Sequence, residues 1–289
     1  MSEQVQLDKK KSMKEEKIRA FMKNKLAVAG AVLLLTMIVL AALSPIIAPY
    51  GFDEQNYEIA RQTPSLQHLA GTDELGRDIF SRILYGGRVS LTIGIISVGI
   101  GLIFGGSLGV IAAYYGGVTE TVIMRVIDVL MAIPSIILSI SICAALGSGI
   151  VNTMIAVGIS SIPTYARVFR SSVISEKSKE YIEAARAVGA GNARIILKHI
   201  LPNSIAPVIV QASLGVAQAI TTAASLSFIG LGIQPPNPEW GALLSSGRQY
   251  IRDFPHMVVY PGIAIMLTVL ALNLIGDGLR DALDPRLKR

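Results

Sequence analysis

Covalent chemistry has little to work with in this chain. Its three histidines, His68, His199 and His256, read as isolated from one another and from carboxylate clusters, so none is expected to bind a metal. Cys143, the single cysteine, lies inside an apolar run; it cannot form a disulfide within the chain and says nothing about redox compartment. The dipeptide Gly-Lys does not occur, so no G-x-x-x-x-G-K-[ST] loop is present to cradle ATP phosphates. With no nucleophile, base or metal constellation, enzyme activity is not expected here.

The residues with unusual spacing are instead mechanical. Ser178 to Pro202, SKEYIEAARAVGAGNARIILKHILP, is a polar, basic island between two long apolar stretches. Ser178 is placed to N-cap a helix, with Glu180 in the first turn where the helix dipole favours an acid. Tyr181, Ala184, Ala185 and Val188 recur at i, i+3, i+4 and i+7 and make one narrow face of small and apolar groups. Gly189 and Gly191 stop that helix. Asn192 is placed to cap a second one, whose apolar stripe is Ala193, Ile196, Leu197 and Ile200, with Arg194 and Lys198 on another face. Pro202 is expected to end it. Two short helices with a glycine hinge suit docking into a groove on a partner, because an Ala-Ala face lets another backbone approach closely. An amphipathic connector on the membrane surface is the plainer alternative.

The elements that must hold this island are membrane spans. Of 289 residues, 52% are hydrophobic and only 16% charged, against about 25% in soluble domains. Mean hydropathy is +0.55, and the apolar residues occur in long unbroken runs, so the chain is an all-α integral membrane protein. The net charge of +6 does not point to nucleic acid, since the basic residues sit at the ends of apolar runs with few aromatics between them.

Six spans are expected. Residues 1–25 form a cytosolic tail, too polar and with too long a following apolar run to be a signal peptide. Residues 26–50 make the first span, and 51–88 an external loop with an interfacial helix built on Ile79, Ile83 and Leu84. Residues 89–278 form a five-helix core that includes a cytosolic loop over 171–203, and 279–289 a cytosolic tail. In the second span Gly101, Gly105 and Gly109 share a face that permits close helix contact, within the chain or with a sister subunit. In the third, Arg125 and Asp128 are spaced to pair, and Pro134 is expected to kink the helix. Trp240, the only tryptophan, suits a membrane interface.

Six spans put both termini on one side. With that side cytosolic, 20 of the 26 Lys and Arg residues face the cytosol, as the positive-inside rule requires, and the island faces it too. No Asp, Glu, Lys or Arg falls mid-span, which argues against an ion-coupled carrier; no charged ring or carbonyl filter suggests a channel. A stand-alone carrier or channel is thus the weaker functional class.

Glu183-Ala184-Ala185, then Gly189, then Leu201-Pro202 resembles the EAA signature of permease subunits in ATP-binding-cassette importers. The general signature has isoleucine where His199 stands, and KHILPN resembles the form of the dipeptide and oligopeptide branch. GTDELGRDIFSRILYGGRVSL (71–91), SFIGLGIQPPNPEWG (227–241) and NLIGDGLRDALDPRL (273–287) resemble further segments of that branch, in its second, C-type permease. The resemblance covers the chain from about Leu26 onward. It implies the type I importer fold, a homologous second permease, two ATP-binding subunits that hold ATP and Mg, and an extracellular or periplasmic substrate-binding protein. It implies a place in the cytoplasmic membrane and import of di- or oligopeptides, with nickel or glutathione as alternative cargo. By position, Glu183 would anchor docking through ion pairing, Ala184 and Ala185 would fill a groove on the ATPase, Gly189 would supply the turn, and Leu201-Pro202 would close the signature.

Overall fold

The computed structural model describes residues 18–283; most of the expected N-terminal tail and the last six residues lie outside that range. Apart from one isolated bridge between Thr72 and Asp78, regular structure among the described residues is helical. Asn24 caps α1 (Lys25–Ala42), its Oδ1 accepting from the amides of Leu26 and Ala27. The second long helix, α2, runs Ile79–Tyr115 with a π-helical stretch at Gly101–Gly105. Then come α3 (Gly117–Met131), α4 (Ser135–Leu146), α5 (Ile150–Lys177), α6 (Glu180–Ala187), α7 (Asn192–Phe228), α8 (Trp240–Gly247) and α9 (His256–Leu283).

Four helices, α1, α2, α7 and α9, are long and apolar enough to cross a membrane. α3 and α4 make a fifth candidate only as a pair, bent by 87° at their junction. The expected kink at Pro134 is therefore a near-right-angle break. Pro134 has extended backbone (ψ 131°) and starts a new helix rather than bending an old one. α5 is 28 residues long but carries more polar groups, and it runs past the expected end of the fourth span to deliver Lys177 to the island.

Three sequence expectations change around the start of α2. Ile79, Ile83 and Leu84 belong to no separate interfacial helix; they are the first turns of α2, which Asp78 starts by accepting from the Ser81 amide at 2.7 Å. Trp240 is not at a lipid interface but 1% exposed, its indole N–H donating to the Ile83 carbonyl at 2.9 Å. The segment before α2 folds on buried charges: the Asp73 carboxylate receives Arg77 Nε at 2.6 Å and the amides of Leu75 and Arg77. His68 is not isolated, since its Nδ1 lies 3.0 Å from Asp78 Oδ1. Residues ten apart in sequence met here through loop closure, which no helical spacing signals.

The glycine seam packs within the chain. A Cβ on Gly105 would stand 2.4 Å from the Ile162 carbonyl and one on Gly109 2.3 Å from that of Ala166, so α2 lies backbone to backbone on α5. Tyr165 of α5 lies along the same seam, its ring against Gly101 and its hydroxyl pressed on Gly215 of α7. Around that contact Ile93, Val98, Val157, Ala223 and Leu226 form the main core. The expected Arg125–Asp128 pair does not form. Asp128 accepts from Arg167 of α5 at 2.7 Å, and Glu120 from Arg170, so α3 is tied to the neighbouring helix rather than to itself.

Candidate coupling site

The island leaves α5, turns, forms α6, turns again and enters α7. Ser178 does not cap α6. Lys179 occupies that position with no side-chain cap, while the Ser178 hydroxyl donates back to the Ser175 carbonyl at 3.2 Å and closes α5. A serine one residue further out reaches the old helix end more easily than the new start. Glu180 and Glu183 both stand in the first turn of α6, where the exposed amides and the dipole favour acids.

α6 turns one residue inward. Ile182 is fully buried, against Ile195, Ile200, Val173 and Phe169. The face read from the spacing points the other way: Tyr181, Ala184 and Val188 are exposed, Val188 at 85%, and Ala185 is half-buried. That face has no apolar partner within the described chain. Its stop is a Schellman-type turn: the Ala190 amide donates to the Ala185 carbonyl, the Gly189 amide to that of Arg186, and Gly189 has φ +83°. Gly191 has no positive φ and serves as the lead-in to α7.

Two expectations about the second helix fail. Asn192 does not cap it; its Oδ1 accepts from the Tyr114 hydroxyl at 2.8 Å. Pro202 does not end it, because Asn192–Phe228 is one helix with a π-helical turn at Ile195–Ile200 just before the proline. The wider turn shifts the carbonyl that the proline ring would otherwise strike, so the helix passes through. In that helix Ile195 and Ile200 are buried, Ile196 is half-buried and Leu197 is 64% exposed. Leu201 packs on the same apolar cluster, and Pro202 is exposed.

Polar contacts that the sequence did not signal lock the island. The Tyr181 hydroxyl donates to Glu176 and receives Asn203 Nδ2 at 3.1 Å, which joins α5, α6 and α7. Lys177 Nζ donates to the carbonyls of Ala113 and Tyr114. Apart from Tyr181–Glu176, five residues apart, these pairs span 22 to 64 residues, and no local pattern announces them. Glu183, Ala184, Gly189 and Pro202 are exposed and Ala185 is half-buried, while Leu201 packs on the apolar cluster.

Residues 105–289 match the family model described as the inner membrane component of binding-protein-dependent transport systems. The chain belongs to that family. Residues 13–65 match the N-terminal transmembrane domain of oligopeptide transport permease C, which places this permease in the C-type group of the dipeptide and oligopeptide branch. It is 49% identical over 273 residues to the dipeptide transport system permease protein DppC of Alkalihalophilus pseudofirmus, covering 94% of this chain and 90% of that one. It is 47% identical to the glutathione transport system permease protein GsiD of Pectobacterium atrosepticum, with 93% and 90% covered. Among solved structures, an inward-facing MetNI methionine ABC transporter matches with a TM-score of 0.59 at 18% identity, covering 71% of the permease and 98% of that chain. That likeness supports the type I importer fold. The permease is thus a membrane-embedded subunit of an importer that works with ATP-hydrolysing and substrate-binding partners.

Proposed function

We propose that this permease passes di- or oligopeptides across the cytoplasmic membrane, paired with a homologous second permease and driven by two ATPase subunits docked on the island. The observation that carries the reading is the outward face of α6, where Ala184 and Ala185 offer a backbone-close surface with no apolar partner within the described chain. Glu183 stands beside it for ion pairing, and Gly189 sets the turn that presents it. ATP and Mg are held by the partners; this chain contributes no catalytic residue and no cofactor site of its own. Both termini and the island face the cytosol, and a binding protein delivers cargo to the opposite side.

Ala185→Trp tests the docking. The bulky ring should leave the chain in the membrane but abolish uptake of a labelled dipeptide by whole cells. Uptake at the wild-type rate would remove the docking role. Glutathione is the second reading for cargo, favoured by the 47% identity to a glutathione permease. Uptake assays with labelled dipeptide and labelled glutathione, each competed by the other, separate the two.

A further inference from the structure

We propose that Tyr114, at the island end of α2, is the positioning residue that fixes the angle of the docking island and passes its movement to the core. The proposal rests on the docking reading above. Tyr114 is 5% exposed, and side chains from the end of α5, from α6 and from the start of α7 converge on it. Lys177, the last residue of α5, donates from Nζ to the Ala113 carbonyl at 3.2 Å and the Tyr114 carbonyl at 2.6 Å. These are terminal carbonyls of α2, which lack helical partners and lie at the negative end of its dipole. The same ammonium stands 5.7 Å from the Tyr114 ring centroid. Arg186, within α6, places its guanidinium carbon 5.7 Å from that centroid. Asn192, at the start of α7, accepts the Tyr114 hydroxyl.

Tyr181, bonded to Glu176 and Asn203, is a second directional tie within the island; the remaining attachments are mainly apolar, Ile182, Ile195 and Ile200 in one cluster. Apolar burial holds a helix down but is non-directional and lets it rotate. The two cation–ring contacts and the hydrogen bond are directional and define orientation. Behind Tyr114, α2 lies flush on α5 through Gly105 and Gly109, so a tilt of the island levers two core helices together.

The test uses the full complex with its own partner subunits, purified through a tag on this chain and placed in liposomes with ATP. Labelled dipeptide and, in parallel, labelled glutathione are the probes. Readouts are retention of the ATP-hydrolysing subunits and probe imported per ATP hydrolysed. Tyr114→Ala and Lys177→Met should keep those subunits and their hydrolysis, yet lower import per ATP by on the order of tens of fold. Tyr114→Phe keeps the ring and loses one neutral hydrogen bond, so it should stay within about fivefold of wild type. Import per ATP near wild type in Tyr114→Ala, or Tyr114→Phe as impaired as Tyr114→Ala, overturns the proposal. If Tyr114→Ala is not recovered in the membrane, Lys177→Met decides by the same criterion. Ala185→Trp runs alongside: normal import there sinks the docking reading and this proposal with it. Blocked import there, with Tyr114→Ala importing normally, sinks only the role of Tyr114.

Discussion

Gly189 carries the strictest backbone requirement in the island. Its φ of +83° disfavours a side chain, although a Cβ would meet nothing within 4 Å. The penalty of a substitution is thus conformational, about 1–3 kcal/mol, and falls on the turn that aims α6. Gly189→Val should reduce uptake sharply while the chain stays in the membrane; Gly191→Ala, with ordinary φ and open space, should be near neutral. Equal uptake by the two variants would show that the turn does not matter. Glu239 makes a different kind of demand. Its carboxylate, 1% exposed, caps α8 by accepting from the Ala242 amide at 2.9 Å and from Ser90 Oγ at 3.2 Å. Burial pushes its pKa above the ordinary 4.5. A raised acid favours folding while it keeps its proton, so its stabilising share is full below the ordinary value and is lost as pH rises through the raised one. Detergent-solubilised protein should therefore melt lower at neutral than at acidic pH through this group. Glu239→Gln should flatten that part of the dependence, and Glu239→Ala should lower stability at every pH by loss of the cap. A Glu239→Gln melting profile that tracks wild type would refute the assignment.

At the scale of elements, the seam between α2 and α5 is the contact with least tolerance. Gly105→Leu would drive a side chain into the Ile162 carbonyl, backbone against backbone with nothing flexible to move aside. We expect loss of folded, membrane-inserted protein, measured by fluorescence-detected size exclusion. Gly99→Leu, on the same helix with no atom within 4 Å, is the control that should insert normally. The ties between α3 and α5 are of another order. Arg167 and Asp128 are each about half exposed, so their pair contributes at most about 1 kcal/mol. The rigid joint is therefore α2 with α5 and α7; α4 adds Cys143 to the same core and bonds Ser139 to Ser160 of α5, while α3 relies more on exposed ion pairs.

For the whole molecule, orientation is the statement most open to direct check. Cys143 is buried at 1% exposure, so a single engineered thiol at exposed Ala187 would dominate labelling. Ala187→Cys should react with an impermeant maleimide only after the membrane is opened; reaction in intact cells would place the island outside and end the coupling reading. What the sequence by itself determined was whatever depends on composition and short periods. Apolar runs marked the spans, charge asymmetry predicted a side for the island, and the Glu183-Ala184-Ala185…Gly189 spacing marked a surface that the fold leaves unpartnered. Some of its errors were local, as where Ser178 closed α5 and Pro134 broke the helix, and others were decided by neighbours distant in sequence. Ile182 rather than the Ala face became the buried side of α6 because Ile195 and Ile200 came back to meet it. Asn192 gave its oxygen to Tyr114, 78 residues away, instead of to a helix end. Pro202 passed through a helix because a π-turn made room, and Trp240 left the lipid boundary for the Ile83 carbonyl 157 residues upstream. A polar group takes the best partner that the folded chain brings within 3 Å, and only the tertiary structure decides which one that is.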